Sequence, residues 1–307
     1  MRLVLYTCRA LVLTLKEWIM LNIITAEQRL QEKKGHKIVI CGQSGVGKTS
    51  LARTLDPSKT LFMDLEAGDA AIEGVAIDVI RPRTWQECRD FAVFLGGPNP
   101  SLGEDATYSQ AHYDYVCQTY GDPTAILSKY DTIFVDSITV AGRLCFQHCQ
   151  NQPECKSERT GKLDTRSAYG LQGREMMAWL SHLQHIRDKN VIFVGILDQK
   201  VDDYGRETYE LQIEGSKTGR ELPGIVDEVI TMALMPSEDG NPYRAFVCQT
   251  LNQWGYPAKD RSGRLDTLEE PHLGRLLEKM SGGKMQSERT LEFVNPSEAV
   301  EGNTENA

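Results

Sequence analysis

The sequence predicts an α/β protein of three layers, in which a mainly parallel central sheet lies between two layers of helices. From His36 onward, short apolar runs alternate with amphipathic stretches, the pattern of strands joined by crossover helices. The runs are apolar at consecutive positions, as strands are when both faces are covered. Two later apolar runs flank the turn-forming residues 237–242, and this spacing predicts a C-terminal β-hairpin.

Seven strands are predicted from these runs. They are Lys37–Cys41, Thr60–Asp64, Ala76–Ile80, Thr132–Asp136, Val191–Leu197, Ile225–Leu234 and Tyr243–Thr250. Helices are predicted at Lys48–Leu55, Thr84–Leu95, Ser137–Cys149 and Ala168–Lys189. Thr84 and Glu87 have capping-box spacing, which marks the start of the second helix. The stretch Gly96–Gly121 is predicted to be an irregular insertion with at most one short helix.

Composition and charge restrict the class of protein. The chain has 307 residues and a formal net charge of −9, which excludes a globally basic nucleic-acid coat but not a local cationic patch. Eight cysteines without dense spacing indicate reduced thiols in a cytoplasmic protein. Arg9, Lys16 and Glu17 interrupt the apolar N-terminus, so no membrane span is expected.

The chain divides by composition into three parts. Residues 1–35 form an N-terminal extension; Met20 offers an alternative start, so residues 1–19 are either upstream sequence or part of the protein. Residues 36–280 form the α/β domain. Residues 281–307 are expected to be a disordered acidic tail, because Gln286–Ala307 contains five Glu and one Arg.

The strongest motif is a phosphate-binding loop directly after the first predicted strand. It consists of Gly42, Gln43, Ser44, Gly45, Val46, Gly47, Lys48 and Thr49. Glycines let the backbone approach phosphates closely, and backbone N–H groups bind them. We expect Lys48 to reach the β- and γ-phosphates, Thr49 to place its hydroxyl on Mg²⁺, and Ser50 to complete the nucleotide contacts. The expected cofactors are therefore ATP and Mg²⁺.

Asp136 ends the apolar run Ile133–Asp136, where a carboxylate reaches the metal from the sheet edge beside the loop. The alternative is that Asp136 only caps the next helix. Ser137 is available for that capping, which leaves Asp136 for the metal.

The segment Leu61-Phe-Met-Asp-Leu-Glu-Ala-Gly68 resembles the corresponding part of the bacterial RecA recombinase and its relatives. The resemblance implies a RecA-like P-loop NTPase fold, with Glu66 as the catalytic base that activates water and Asp64 as a supporting group. The alternative for Glu66 is a solvated loop residue.

Val191–Gln199 is similar to the RecA-family motif whose terminal Gln senses the γ-phosphate. This similarity implies the same role for Gln199; the alternative is an amide that caps the strand.

Other stretches sharpen the resemblance to phage and prophage ATP-binding proteins that contain little more than a RecA core. They are Phe134–Ser137, Ala168–Glu175, Gln212–Lys217, Leu222–Glu228 and Asn252–Arg264. This resemblance implies slow or partner-stimulated ATP hydrolysis, action on single-stranded DNA in recombination or annealing, and a homo-oligomeric ring or filament in the bacterial host cytoplasm. The alternative is an ATP-dependent switch or assembly protein that binds a protein partner and no DNA.

The same resemblance implies where DNA and a neighbouring subunit bind. The expected DNA-binding stretches are Asn151–Arg166, with Lys156, Arg159, Lys162 and Arg166, and Lys200–Gln212, with Lys200 and Arg206. Both also carry acidic residues, so the alternative is a solvated loop. Lys217 and Arg220 precede the penultimate strand, where RecA relatives carry cations that complete a neighbour's ATP site; the alternative is a basic surface turn.

Two further sets of residues are interpreted as structural. Cys145, His148, Cys149 and Cys155 lack the paired spacing of a structural zinc site. Trp254 and Tyr256 are expected to pack rather than to stack on bases.

Overall fold

The computed structural model describes residues 23–201, 204–205, 207–237 and 240–282. The strands are β1 Lys37–Gly42, β2 Thr60–Asp64, β3 Asp78–Ile80, β4 Thr132–Asp136, β5 Asn190–Val201, β6 Glu207–Leu211, β7 Glu228–Met235, β8 Tyr243–Val247, β9 Lys259–Asp260 and β10 Leu268–Glu269. The α-helices are α1 Ala26–Gln31, α2 Trp85–Gly96, α3 Gln110–Tyr120, α4 Pro123–Leu127, α5 Ile138–Gln150, α6 Thr165–Gln184, α7 Ser216–Ile225 and α8 Leu273–Ser281. Short 3-10 helices occur at Thr49–Thr54, Pro57–Lys59, Asp69–Ile72 and Pro153–Cys155.

The strands form one sheet in the order β10-β8-β7-β1-β5-β4-β2-β3, with β6 added to β5 and β9 to β7. The pairs from β7 through β3 are parallel, whereas β8 and β10 are antiparallel to their neighbours. The predicted α/β fold with a mainly parallel sheet is therefore confirmed, as is the hairpin of β7 and β8. Because β1, β2, β4 and β5 run in one direction, their carboxyl ends meet at one edge of the sheet.

Both faces of the sheet are covered, which explains the continuous apolar runs. On one face, alternate strand residues such as Val39, Met63 and Val135 pack under α2, α5 and α6. On the other face, residues such as Ile40 and Phe134 pack under the 3-10 helix Thr49–Thr54 and α8. The sheet thus holds the ends of its strands rigidly in place for the site.

N-cap residues mark the starts of several helices. Thr84 accepts a hydrogen bond from Glu87 N, and the complete capping box confirms the predicted start of α2. Ser137 caps α5, as expected. The stretch Gly96–Gly121 contains a single helix, α3, which Ser109 caps.

Several predicted bounds differ from the structure. The helix predicted at Ala168–Lys189 is α6 Thr165–Gln184, and the strands predicted at Ala76–Ile80 and Tyr243–Thr250 are the shorter β3 and β8. The helix predicted at Lys48–Leu55 is a 3-10 helix over Thr49–Thr54. It ends before Asp56, because Asp56 caps a new turn at Pro57 and a residue before proline avoids the α region. The strand predicted to begin at Ile225 begins at Glu228, since α7 occupies the preceding residues despite Pro223 within it. The strand predicted to end at Leu197 continues to Val201, because β6 pairs with it.

Some expectations lie outside the described residues. These are residues 1–19 with the alternative start at Met20, the acidic tail beyond Gly282, and Arg206.

Candidate active site

The phosphate-binding loop leaves the carboxyl end of β1 and ends at the 3-10 helix Thr49–Thr54. Gly45 and Gly47 have φ angles of 78° and 106°, in the left-handed region that favours glycine. A Cβ on Gly42 would lie 2.5 Å from Met232 O on β7, so no side chain fits there. Left-handed positions of this kind turn successive backbone N–H groups toward one point and form an anion-binding nest.

The remaining loop residues provide the charge and the solvent access that a phosphate site needs. Lys48 Nζ donates to Gly42 O and Gln43 O, both at 2.9 Å. Burial lowers the pKa of Lys48, and the carboxylates of Glu66 and Asp136 oppose that change. The ammonium group therefore lies between the loop and two acidic groups. Gln43, Ser44 and Ser50 are exposed, whereas Val46 is buried.

Asp136 lies at the carboxyl end of β4, in register with Asp64 at the end of β2. Burial raises the pKa of Asp136 to about 6; the hydrogen bond from Thr49 opposes this, and the charges of Glu66 and Asp64 add to it. Asp136 Oδ2 is buried and has no hydrogen-bond partner among the described residues. A cation beside this oxygen would supply the missing interaction.

These features fit Mg²⁺, which takes few protein ligands and completes its shell with phosphate oxygens and water. Thr49 and Asp136 would hold it. The absence of a side chain at Gly68 keeps space open for the ion: a Cβ at this residue would lie 3.3 Å from Asp136 Oδ2 and 3.7 Å from Thr49 Cγ2. No group of three or more His, Cys, Asp or Glu side chains in the described ranges is arranged as a metal site by itself.

Glu66 follows β2 in a tight turn beside Asp136. Leu65 N donates to Asp136 O at 2.7 Å, which joins the turn to the end of β4, and Ala67 has a φ of 56°. Ser137 Oγ donates to Glu66 Oε1. The Asp136–Ser137 peptide bond is cis. These contacts hold the Glu66 carboxylate next to the metal position.

Two further features surround this turn. Asp64 Oδ1 accepts from Gly68 N at 3.0 Å, and its Oδ2 lies 3.6 Å from Arg81 Nε, so Asp64 supports the turn. A cavity of about 340 Å³ adjoins Glu66 and is bordered by Arg81 and Arg83. The cavity is large enough to admit water to the carboxylate.

Gln199 does not end a strand, which differs from the expectation. It lies within the β5–β6 hairpin, opposite Tyr209, and its residue is exposed. Side chains alternate along a strand, so Gln199 shares a face with Leu197, which lines a cleft beside Gln43–Val46. Gln199 itself does not line that cleft.

Lys217 and Arg220 both lie in α7, just before β7. Arg220 borders a cavity of about 790 Å³ together with Val39 and Cys41 of β1. These β1 side chains point to the sheet face opposite the 3-10 helix of the phosphate loop. Arg220 is therefore across the sheet from that helix. The Lys217 side chain lies outside the described part of the chain.

The first expected DNA-binding stretch is an exposed turn between α5 and α6. Lys156 and Leu163 form a bridge that closes it, and Lys156 Nζ donates to Gln150 O. The second stretch is not a loop: Lys200 lies in the β5–β6 hairpin, 2.5 Å from Glu210 Oε2. Its charge is paired, which weakens the expectation that it binds phosphate.

The residues interpreted as structural are indeed packed. Cys145, Cys149 and Cys155 are buried. Trp254 and Tyr256 pack against the small cluster around Ala233 and Val247.

Sequence reasoning missed three participants. Arg244 on β8 donates from Nε to Val46 O at 2.8 Å, Ser137 bonds Glu66 as well as capping α5, and Gly68 makes room at Asp136. In the first contact the two residues are separated by 198 positions in the sequence, and in the second by 71. No local pattern marks such pairs. Gly68 did fall within a segment that was singled out, but only for its carboxylates.

Residues 34–262 match the sequence model of a family described as an AAA domain. The matched range exceeds half of the chain and includes the phosphate loop, Glu66 and Asp136. The chain belongs to the AAA domain family. It is a P-loop ATPase with an α/β fold, which confirms the ATPase expectation. No curated protein matches the AAA-domain chain in sequence.

Two solved structures are similar to this AAA-domain ATPase in part. One is a prototypical ATPase from the type III secretion system of pathogenic bacteria, with 16% identity and a TM-score of 0.34, over 65% of this chain and 52% of that chain. The other is the flagellar accessory protein FlaH from Methanocaldococcus jannaschii, with 12% identity and a TM-score of 0.31, over 79% of this chain and 91% of that chain. The chain thus spans about half the length of the secretion ATPase that it matches.

Among the described residues, no helix has the length and apolarity to cross a bilayer.

Proposed function

We propose that this ATPase couples Mg²⁺-dependent ATP hydrolysis to action on single-stranded DNA, as in phage-type recombination or annealing. The observation that carries the DNA part is the exposed cationic turn between α5 and α6. Arg159 and Lys162 of this turn, and Arg166 in the first turn of α6, have side chains with no ion-pair partner among the described residues, in a protein whose net charge is −9.

The hydrolytic roles follow from the chemistry of each group. The loop amides and Lys48 bind the phosphates, and Thr49 and Asp136 would hold Mg²⁺, which supplies charge neutralisation when bound. Glu66 orients a water molecule in line with the γ-phosphate and accepts its proton. Ser137 fixes the Glu66 carboxylate through its hydroxyl. Gln199 senses the γ-phosphate from the β5 side.

Two of the three acids in residues 151–166, Glu154 and Asp164, have partners, and the third, Glu158, is exposed. Glu154 lies 3.4 Å from Arg174, and Asp164 accepts from Arg166 N and Ser167 N as the cap of α6. The exposed cations are therefore available for DNA phosphates, whose binding releases counterions and depends steeply on salt.

A physical connection supports coupling between hydrolysis and the turn. Ser137, the N-cap of α5, contacts Glu66, and α5 ends at Gln150, where the turn begins. A helix transmits a shift at one end to the other as a rigid element. A change at the nucleotide would reach the DNA-binding segment by this route.

The test is ATP turnover with and without a single-stranded oligonucleotide at low salt, on the full chain and on two triple variants. The first changes Arg159, Lys162 and Arg166 to Ala. The matched control changes Lys33, Arg187 and Arg275 to Ala, which removes the same charge from surfaces elsewhere. We expect DNA stimulation in the full chain and the control, and its loss in the first variant together with a shallower salt dependence of binding.

Stimulation that is absent from the full chain, or equal in both variants, would contradict the DNA proposal. The ATPase assignment would be unaffected, since basal turnover is measured in the same experiment.

A second candidate function, an ATP-driven switch or assembly protein with a protein partner, is favoured by exposed apolar residues on two hairpins. Val201 of β5, Leu234 of β7 and Tyr243 of β8 are 63%, 53% and 46% exposed, beyond the carboxyl end of β1. Exposed apolar groups mark a protein interface where they form a contiguous patch. Turnover that is insensitive to DNA but rises with protein concentration would favour this candidate.

The same exposed surface fits a homo-oligomer, in which Lys217 or Arg220 would complete the ATP site of a neighbour.

A further inference from the structure

Arg244 contacts the phosphate loop from the strand β8, far along the chain. Its Nε donates to Val46 O at 2.8 Å, and the same nitrogen would lie 3.6 Å from a Cβ placed on Gly47. We propose that Arg244 is a positioning residue for nucleotide binding: it fixes the Val46–Gly47 peptide and adds a cation beside the polyphosphate of the nucleotide.

The geometry of the peptide unit explains how a hydrogen bond to the Val46 carbonyl oxygen orients the Gly47 N–H. Val46 C=O and Gly47 N–H belong to one planar trans peptide unit, so they point in opposite directions. When Arg244 holds the carbonyl oxygen of this unit, it also sets the direction of the Gly47 N–H, which is one of the donors of the phosphate nest. Gly47 has a φ of 106° and the conformational freedom of glycine, so the loop gains from an external anchor.

The sheet topology brings Arg244 to this place. β7 is parallel to β1, and β8 is antiparallel to β7 with Arg244 opposite Leu234. The start of β8 therefore meets the carboxyl end of β1. β4 and β2, which lead to Asp136 and Glu66, lie on the other side of β1 in the sheet. The metal and water groups thus flank the loop on one side, and the guanidinium flanks it on the other.

The guanidinium has capacity beyond this one bond. It carries five N–H donors, and only Nε–H is used on Val46. In the described part of the chain, no carboxylate lies within ion-pair distance of Arg244, so its charge contributes to the positive potential at the loop. A hydrogen bond from a charged donor to a backbone acceptor is among the stronger ones.

The experiment measures nucleotide binding in the absence of DNA for Arg244→Ala, Arg244→Gln and Arg244→Lys, with Arg275→Ala as the matched control. Arg275 is exposed on α8 and bonds Glu270, away from the loop. For Arg244→Ala we expect the Kd of both MgATP and MgADP to rise about 10- to 100-fold, as expected when a charge-assisted hydrogen bond is lost. The kcat at saturating ATP should stay within about threefold, because the loop holds substrate and transition state alike.

The two other variants separate charge from geometry. Arg244→Lys should recover part of the affinity and Arg244→Gln less, and the difference should shrink at high salt. Each variant should unfold at the wild-type temperature without nucleotide. If Arg244→Ala does not fold, the Lys and Gln variants, which retain the aliphatic stem, provide the comparison.

An unchanged Kd in the folded variants would overturn the proposal. So would a loss of kcat at unchanged Kd, since that would assign Arg244 to the transition state. Neither result depends on the DNA proposal, because no DNA is present.

Discussion

Replacing Asp136 by Asn should stabilise the nucleotide-free protein while it stops Mg²⁺-dependent turnover. Asp136 is 2% exposed, and its Oδ2 has no hydrogen-bond partner among the described residues. An Asn amide would place a donor near the carboxylates of Asp64 and Glu66, whose charges oppose ionisation of Asp136. The substitution therefore removes a buried charge that is costly until a cation binds.

The magnitude follows from the pKa of Asp136. Burial raises this pKa from 3.8 to about 6. At about 1.4 kcal/mol for each pH unit, the charged side chain costs the folded state about 3 kcal/mol. Because the pKa of Asp136 is higher in the folded state, the folded state binds the proton more tightly than the unfolded state does. Protonation of Asp136 therefore stabilises the fold below pH 3.8, and this stabilisation is lost as the pH rises through 6.

The advantage of Asp136→Asn should therefore be near zero at pH 3.5, grow between about pH 4 and 6, and reach about 3 kcal/mol at pH 7. Urea denaturation of both proteins across this range measures it, without nucleotide or Mg²⁺. Asp105→Asn, in an exposed loop, is the matched control for the loss of one carboxylate. A variant that is less stable than the wild type at pH 7 would refute the reasoning.

Three further substitutions test the water and metal positions. Glu66→Gln should leave ATP binding intact and lower kcat about 10²- to 10⁴-fold, the range for loss of a general base; retained turnover would assign the base to another carboxylate. Ser137→Ala should reduce the free energy of unfolding by about 1 kcal/mol through loss of the cap of α5, and should also lower kcat with little effect on KM, because Glu66 loses its anchor. Gly68→Ala should raise the Mg²⁺ concentration for half-maximal turnover about tenfold, since the added methyl group crowds Asp136; a Mg²⁺ titration at saturating ATP checks this.

The elements that local sequence predicts well are those whose cause is local. The strands β2 and β4 are found at the predicted bounds, because an apolar run between polar residues determines each one. α7 was missed, since Gly215, Gly219 and Pro223 are residues that usually interrupt helices. The extension of β5 depends on pairing with β6, and the exposed residues that form it carry no continuous apolar run.

The same distinction applies to the candidate site. The phosphate loop is a contiguous motif, and Asp136 and Glu66 each end or follow an apolar strand, so all three could be recognised from spacing. The bond between Ser137 and Glu66 and the bond between Arg244 and Val46 depend on the order of strands in the sheet. Strand order was not predicted, and the partners of these residues could not be either.

The proposed role of Arg220 leads to a test of assembly. Arg220 borders the cavity on the sheet face opposite the 3-10 helix of the phosphate loop, so a role at the phosphates is expected in a neighbouring subunit rather than its own. Lys48→Ala should abolish nucleotide binding, and Arg220→Ala should leave binding intact but remove the charge supplied to the neighbour. Each variant alone should therefore be nearly inactive.

A mixture of the two variants should recover activity, because a subunit with Lys48 can then lie next to one with Arg220. For random assembly at equal concentrations, roughly a quarter of the interfaces combine an intact loop with an intact Arg220, and turnover should approach that fraction of wild type in a head-to-tail assembly. Lys217→Ala, mixed in the same way, tests the other candidate cation. Turnover in both mixtures equal to the mean of the separate variants would contradict a role of either cation between subunits, because a contribution within one subunit cannot be restored by its neighbour.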